Sequence, residues 1–396
     1  MVPELRRAFN AAFRAESYAA MLRWLEEEAG FPVPFRVCET PLFLTRELAA
    51  ELERAAHEVL AAVTAPDYLC SAERAVPPRY AVPREDAHTT FLQVDFALAA
   101  GAGGEVVPRL IELQGFPSLY GFQWLLERAY RAHFAIGAGL SPYFGGLSAP
   151  AYVECLRQTI VGGHDPENVV LLEIEPEAQK TRVDFAATER LLGIKTVSTA
   201  AVVVRGDRAC YASGGREVPI ERIYNRVIFD EAARRGLDLG PLFRREVEVE
   251  WVGHPNWFWK ISKFSLPFIH GRYCPPCYLL ADLAETEYPE DLENYVLKPL
   301  FSFAGLGVEL GVTKERLRGI AQPENFILQR RVDYAPVVAT PDEPAKAEVR
   351  MMFVWGKEGP PRLVNNLVRM TKGRMVGVDF NKDRTWIGAS VALHPE

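Results

Sequence analysis

Between residues 169 and 204 two apolar, β-branched runs flank one segment of helical length, and this alternation restricts the fold more than any other feature. Residues 169–174 (Val-Val-Leu-Leu-Glu-Ile) make a continuous buried-strand run. Residues 177–192 carry helical spacing and stop at Gly193, and residues 195–204 resume as a strand. A strand, a helix and a strand of these lengths suggest a βαβ unit with parallel pairing. A turn at Arg205-Gly-Asp207 then leads into residues 209–211, and residues 222–226 extend the sheet. The predicted class is therefore α/β with a mixed sheet.

The flanks differ from this middle. Residues 5–28 and 45–63 repeat apolar positions at three- and four-residue steps, with Thr45 as an N-cap, and predict an N-terminal helical region. Pro77, Pro78 and Pro83 mark a loop into another layer. Residues 91–99 and 107–113 predict a hairpin about the Gly101-Ala-Gly-Gly104 turn, followed by a helix near 121–134. After Pro255, residues 295–298 and 308–310 predict an antiparallel pair around a glycine-containing loop. Residues 324–332, 348–355 and 362–370 predict three more strands. The expected division is 1–90 helical, 91–250 α/β on the substrate side, and 251–396 for nucleotide binding.

Composition excludes several functions. No apolar run approaches the roughly 20 residues that span a bilayer. The first residues lead into an amphipathic pattern bearing Arg14, Glu16 and Arg23, so a cytoplasmic location is expected and a signal peptide is not. A net charge of −7 argues against a nucleic-acid partner, whose phosphates need clustered cations. Arg234-Arg235 and Arg244-Arg245 sit among acids and suit solvated surface. The C-x-x-C spacing of Cys274 and Cys277 lacks a second Cys or His pair for zinc and suits a rigid Pro-Pro connector.

The chemistry gathers around Tyr295-Val-Leu-Lys298-Pro-Leu-Phe-Ser302-Phe-Ala-Gly305-Leu-Gly307-Val308. A phosphate site needs positive charge and backbone N–H groups that approach closely, which favours glycine in the loop. Lys298 ends a strand, and Gly305 and Gly307 allow a tight turn before the next one. The segment is neither a P-loop nor a dinucleotide fingerprint, because the glycine and Lys-Ser/Thr spacings are missing. Upstream, Asn256-Trp and Ile-Ser-Lys263-Phe-Ser-Leu-Pro supply a second lysine. Downstream, Phe326-Ile-Leu-Gln329 is a strand ending in a group suited to an adenine edge, and Arg369 closes a later strand.

In order and spacing these motifs resemble the ATP-grasp superfamily over residues 91–396, and within it the circularly permuted branch typified by glutathionylspermidine synthase. The resemblance implies an ATP-grasp-like fold that binds ATP through Lys263, Lys298, Ser302, Gly305, Gly307 and Gln329. It also implies Mg²⁺ held by Asp95, Glu112 and Gln114, with glutamine where the family has asparagine. Residues i and i+2 of a strand share a face, so Glu112 and Gln114 can address one ion. Two departures stand out: Gln93 replaces an arginine two residues before Asp95, and Phe303 replaces a cation in the loop. Glu348, Asp379 and Asn381 form a competing acidic set.

The implied reaction is ATP-dependent ligation of a carboxylate to an amine through an acyl phosphate, with Arg369, Lys298 and Ser118 in catalytic positions. The partners would be small-molecule or peptide-like acids and amines. Glu177, Arg182 and Arg226 are the candidate substrate contacts, set at a helix start and a strand end. Two alternatives remain: a non-catalytic nucleotide-binding protein of the same fold, and an ATP-dependent phosphotransferase.

Overall fold

The computed structural model describes residues 1–302, 305–373, 381 and 383–395. Strands Phe91–Ala100 and Val106–Gln114 form the expected hairpin. They continue into an antiparallel five-stranded sheet whose order is Gly388–Ser390, Arg362–Thr371, Lys346–Val354, Phe91–Ala100, Val106–Gln114. The sheet thus joins segments from both sides of residue 250, and the boundary expected there does not divide it.

Alternation gives this sheet two unlike faces. Leu92, Val94, Phe96 and Leu98 turn toward helix Arg46–Thr64, which buries Leu48, Leu52, Ala55, Ala56, Val59, Leu60 and Val63 in the same core. Each of the larger side chains contributes roughly 1.5–3 kcal/mol by leaving water. Thr45 caps that helix as expected, accepting from the Leu48 N–H. The opposite face carries Phe91, Gln93 and Asp95, residues two apart along the strand. Phe91 packs there on Tyr120 and Tyr224.

The predicted βαβ unit is present in a parallel four-stranded sheet ordered Glu250–Val252, Arg222–Asn225, Val169–Glu173, Lys195–Ser198. Two boundaries move. The helix begins at Arg182, because Pro176 starts a separate 3₁₀ turn over Pro176–Ala178. The second strand stops at Ser198, whose hydroxyl accepts from the Ala200 N–H and turns the chain. Val203–Arg205 then joins the meander Arg208–Ser213 and Arg216–Ile220 in another sheet.

A smaller antiparallel sheet orders Cys277–Leu279, Phe326–Arg330, Tyr295–Pro299 and Glu309–Leu310. At the far end, helices Pro3–Ala12 and Ala15–Ala29 divide the single helical stretch expected over 5–28. Strand Leu42–Phe43 pairs with Ala392–Pro395, tying the N-terminal region to the last strands. Among the described residues, no helix is long and apolar enough to cross a membrane.

Candidate functional site

The site forms where the five-stranded sheet meets the small one. Asp95 lies opposite Glu112 and Gln93 opposite Gln114, but Phe96 lies opposite Leu110, so Ile111 is an extra residue in a β-bulge. A bulge frees a backbone group from the ladder and re-aims it. Here the Ile111 carbonyl accepts from Lys298 Nζ at 3.1 Å. The neighbouring Leu110 carbonyl accepts from Gln329 Nε2 at 3.4 Å. One irregularity thus docks the small sheet on the hairpin. Burial holds the Lys298 amine below its ordinary value, and the like charge of Lys263 adds to this against the opposing pull of Glu112.

Lys263 follows Ser262, whose hydroxyl accepts from the Phe264 N–H at the start of a short 3₁₀ segment, Lys263–Phe268. Its ammonium donates to the Ser302 carbonyl, approaches Ser302 Oγ at 3.4 Å and lies 3.9 Å from Glu112 Oε2. Glu112, Leu113, Gln114 and Phe116 form one wall of a cleft. Phe258, Ser262, Lys263 and residues 300–302 form the rest. Gly115 lets the wall turn: a Cβ there would come within 2.7 Å of the Trp257 carbonyl and 2.9 Å of Ile261 Cβ.

Beside the cleft lies a buried charge network. Asp95 is bound by Arg350 through both oxygens, Nε–Oδ1 at 2.6 Å and Nη2–Oδ2 at 2.7 Å, and Arg369 also donates to Oδ2. Arg369 pairs in turn with Glu348, which accepts from the Tyr334 hydroxyl. Burial alone would raise the Asp95 carboxyl, yet the two guanidinium groups hold it below its ordinary value. Glu348 has only one of those arginines and the like charge of Asp95 nearby, so burial pushes it up. Burial works against the Arg369 charge as well, but Glu348 and Asp95 outweigh it and raise the group.

A polar relay links this network to the cleft wall. Arg350 Nη1 donates to Gln93 Oε1 at 3.0 Å, and Gln114 Nε2 donates to the same oxygen at 2.7 Å. Gln114 also donates to the Phe116 carbonyl at 3.0 Å, and Gln93 Nε2 donates to the Ser118 carbonyl at 2.7 Å. From behind, Arg226 donates to the Pro117 carbonyl, with its guanidinium 5.2 Å from the Phe116 ring centre and 3.6 Å from Asp184. The 116–118 segment is therefore clamped on both sides.

The fold brings together Asp95, Glu112, Gln114, Lys263, Lys298, Ser302, Gln329 and Arg369. Gly305 and Gly307 adopt φ of +75° and +73°, the left-handed values that glycine permits. Phe303 and Asp379 lie outside the described residues. Asn381 caps the turn after Arg362–Thr371, its Oδ1 accepting from the Lys372 and Gly373 N–H groups. Glu177 and Arg182, the expected substrate pair, do not line this cleft. The Glu177 side chain is 95% exposed and the Arg182 guanidinium lies 4.0 Å from the Phe31 ring centre. Arg226 is buried behind the wall rather than lining it.

Arg350 is the site residue that sequence reasoning missed. Its signal was Glu348-Val-Arg350, two opposite charges on one face of a strand that is apolar beyond Lys346. As for a metal, no group of three His, Cys, Asp or Glu among the described residues is arranged to hold one. Glu112 and Gln114 line the cleft and fit a magnesium ion carried by nucleotide phosphates, which needs only one or two protein carboxylates. Asp95 meets arginines instead.

No family model matches the chain, and no curated protein matches it. Among solved structures the chain is similar to the apo form of a glutathione synthetase-like effector from Globodera pallida, with a TM-score of 0.59. The two share 10% identity over 90% of this chain and 94% of that one. The likeness shows the fold, an α/β architecture of the ATP-grasp kind.

Proposed function

We propose that this protein binds ATP in the cleft between the five-stranded and small sheets and joins a carboxylate to an amine. One observation carries the reading: the Lys263 ammonium shares one cleft with Glu112, Gln114 and Ser302, and the Lys298 ammonium bonds the Ile111 carbonyl one residue from that wall. The similarity to a glutathione synthetase-like structure supports it at the level of fold.

The two ammonium groups would bind the phosphates and stabilise charge on the transferring group. Magnesium held by Glu112 and Gln114 would add the same electrostatic stabilisation when bound. A substrate carboxylate oxygen attacks the γ-phosphorus and ADP departs. The amine nitrogen then attacks the acyl carbon, loses its proton and expels phosphate. Positioning does much of this work, because the acyl phosphate is already reactive. Arg350 and Arg369 keep Asp95 ionised beside the phosphate end, and the 116–118 clamp fixes the wall against which substrate lies.

Calorimetry with ATP and magnesium tests the first half, and ADP release with paired acids and amines tests the second. Binding is expected for the wild type, with a loss of tenfold or more in Lys298→Ala. Unchanged binding in that variant refutes the assignment. A second reading, nucleotide binding without catalysis, draws on one feature: two arginines occupy both oxygens of Asp95. Turnover with any acid–amine pair rejects it.

A further inference from the structure

The Arg350 guanidinium joins the Asp95 carboxylate to the relay behind the cleft wall. It bonds both oxygens of Asp95 and the Gln93 amide oxygen, and it lies 3.9 Å from Glu112 Oε1. Arg350 pairs directly with Asp95 across the ladder, and Gln93 pairs with Met352. Gln93, Asp95 and Arg350 therefore share one face, with positions 93 and 350 on a diagonal about Asp95. A cation on either strand would reach the same carboxylate, and this chain places it on Lys346–Val354.

Arg350 also has a second task. Through Gln93 it reaches Gln114 and the carbonyls of Phe116 and Ser118, so its removal would free the cleft wall as well as the charge. A neutral residue would leave Asp95 with Arg369 alone, and Arg369 is shared with Glu348.

We infer that Arg350 is the positioning residue of the phosphate end. Resting on the nucleotide-binding reading above, this inference holds that Arg350 fixes Asp95, Glu112 and the 116–118 wall from the neighbouring strand, and that position 93 is interchangeable with it. Arginine suits the task because its planar fork grips a carboxylate in a way that a lysine ammonium does not.

The test is calorimetric binding of ATP with magnesium to four proteins: wild type, Arg350→Gln, Arg350→Lys, and the exchange Gln93→Arg with Arg350→Gln. Arg350→Gln should bind at least tenfold more weakly. Arg350→Lys should fall between, and the exchange should return to within about threefold of wild type. Circular dichroism and denaturant unfolding of each variant separate a loss of fold from a loss of affinity: affinity should fall in Arg350→Gln under conditions where that variant is fully folded. Wild-type affinity in Arg350→Gln overturns the inference, as does an exchange variant that folds but binds no better than Arg350→Gln. If Arg350→Gln does not fold, the exchange variant decides: folding with binding supports the inference, and failure of either overturns it. A wild type that binds no nucleotide refutes the nucleotide reading itself, a result distinct from binding that Arg350 does not influence.

Discussion

Two buried carboxylates, one in each main sheet, are equally hidden and titrate in opposite directions. Asp95 in the antiparallel sheet and Glu173 in the parallel sheet are each 1% exposed. Two arginines hold Asp95 below its ordinary value. Burial pushes Glu173 up to about 8, because its hydrogen bond is to the Ile174 N–H and Arg226 acts only at a distance. Asp184 lies between these cases. It pairs with Arg226 at 3.6 Å and accepts from the Leu119 and Phe122 N–H groups, yet burial still raises it. Burying charge is costly, and one distant cation does not offset it; direct, two-pronged pairing does. Asp95 and its two arginines lie next to the cleft, whereas the raised carboxyl of Glu173 lies at the end of its strand.

The largest effect should come from breaking the network. Arg369→Met leaves Glu348 without its guanidinium and Asp95 with one of two, and removing one partner of a buried pair costs about 3–5 kcal/mol. Denaturant unfolding should show that loss, and nucleotide affinity should fall with it. A loss below 1 kcal/mol would mean the network is not held as these contacts require.

An effect of comparable size and opposite sign should follow on the parallel side. The Glu173 carboxyl has a folded value near 8 against an ordinary 4.5, so the protein retains its proton longer than the unfolded chain does. Its contribution is complete below pH 4.5 and is lost as pH rises toward 8, by on the order of 1 kcal/mol per pH unit. Glu173→Gln mimics the protonated acid. The variant should match wild type near pH 4.5 and melt at higher temperature at pH 9. Parallel melting curves across that range would remove Glu173 from the comparison.

The hairpin at 91–114 was legible because a glycine turn separates two alternating runs, and the Lys298 strand because it precedes a glycine loop, a pattern that takes on meaning only in sequence with Lys263 and Gln329. The βαβ unit was legible in kind but not in its ends. Pro176 and the Ser198 hydroxyl each create a local turn that competes with the regular element. Long-range pairing escaped altogether: Leu42–Phe43 meets Ala392–Pro395 across nearly the whole chain, and two- to four-residue strands carry no periodicity. The bulge at Ile111 was invisible for a related reason, since its role depends on where Lys298 arrives. Arg350 was hidden because its meaning lies across the ladder, in Asp95 and Gln93, rather than along its own strand.

The smallest effect should fall on the pair that sequence placed at the substrate site. Glu177 and Arg182 approach at 3.7 Å, but the Glu177 side chain is 95% exposed. Water screens such a pair, and holding two long side chains together costs entropy, so Glu177→Ala should change stability by no more than about 0.5 kcal/mol. Arg182 differs, because its guanidinium covers the Phe31 ring and ties the helix it begins to the N-terminal region. Arg182→Ala should cost about 1 kcal/mol through that packing, with nucleotide affinity unchanged. If Glu177→Ala instead weakened turnover with an amine substrate while stability held, the exposed end of the parallel sheet would join the site. The contrast between a working antiparallel sheet and a supporting parallel one would then fail.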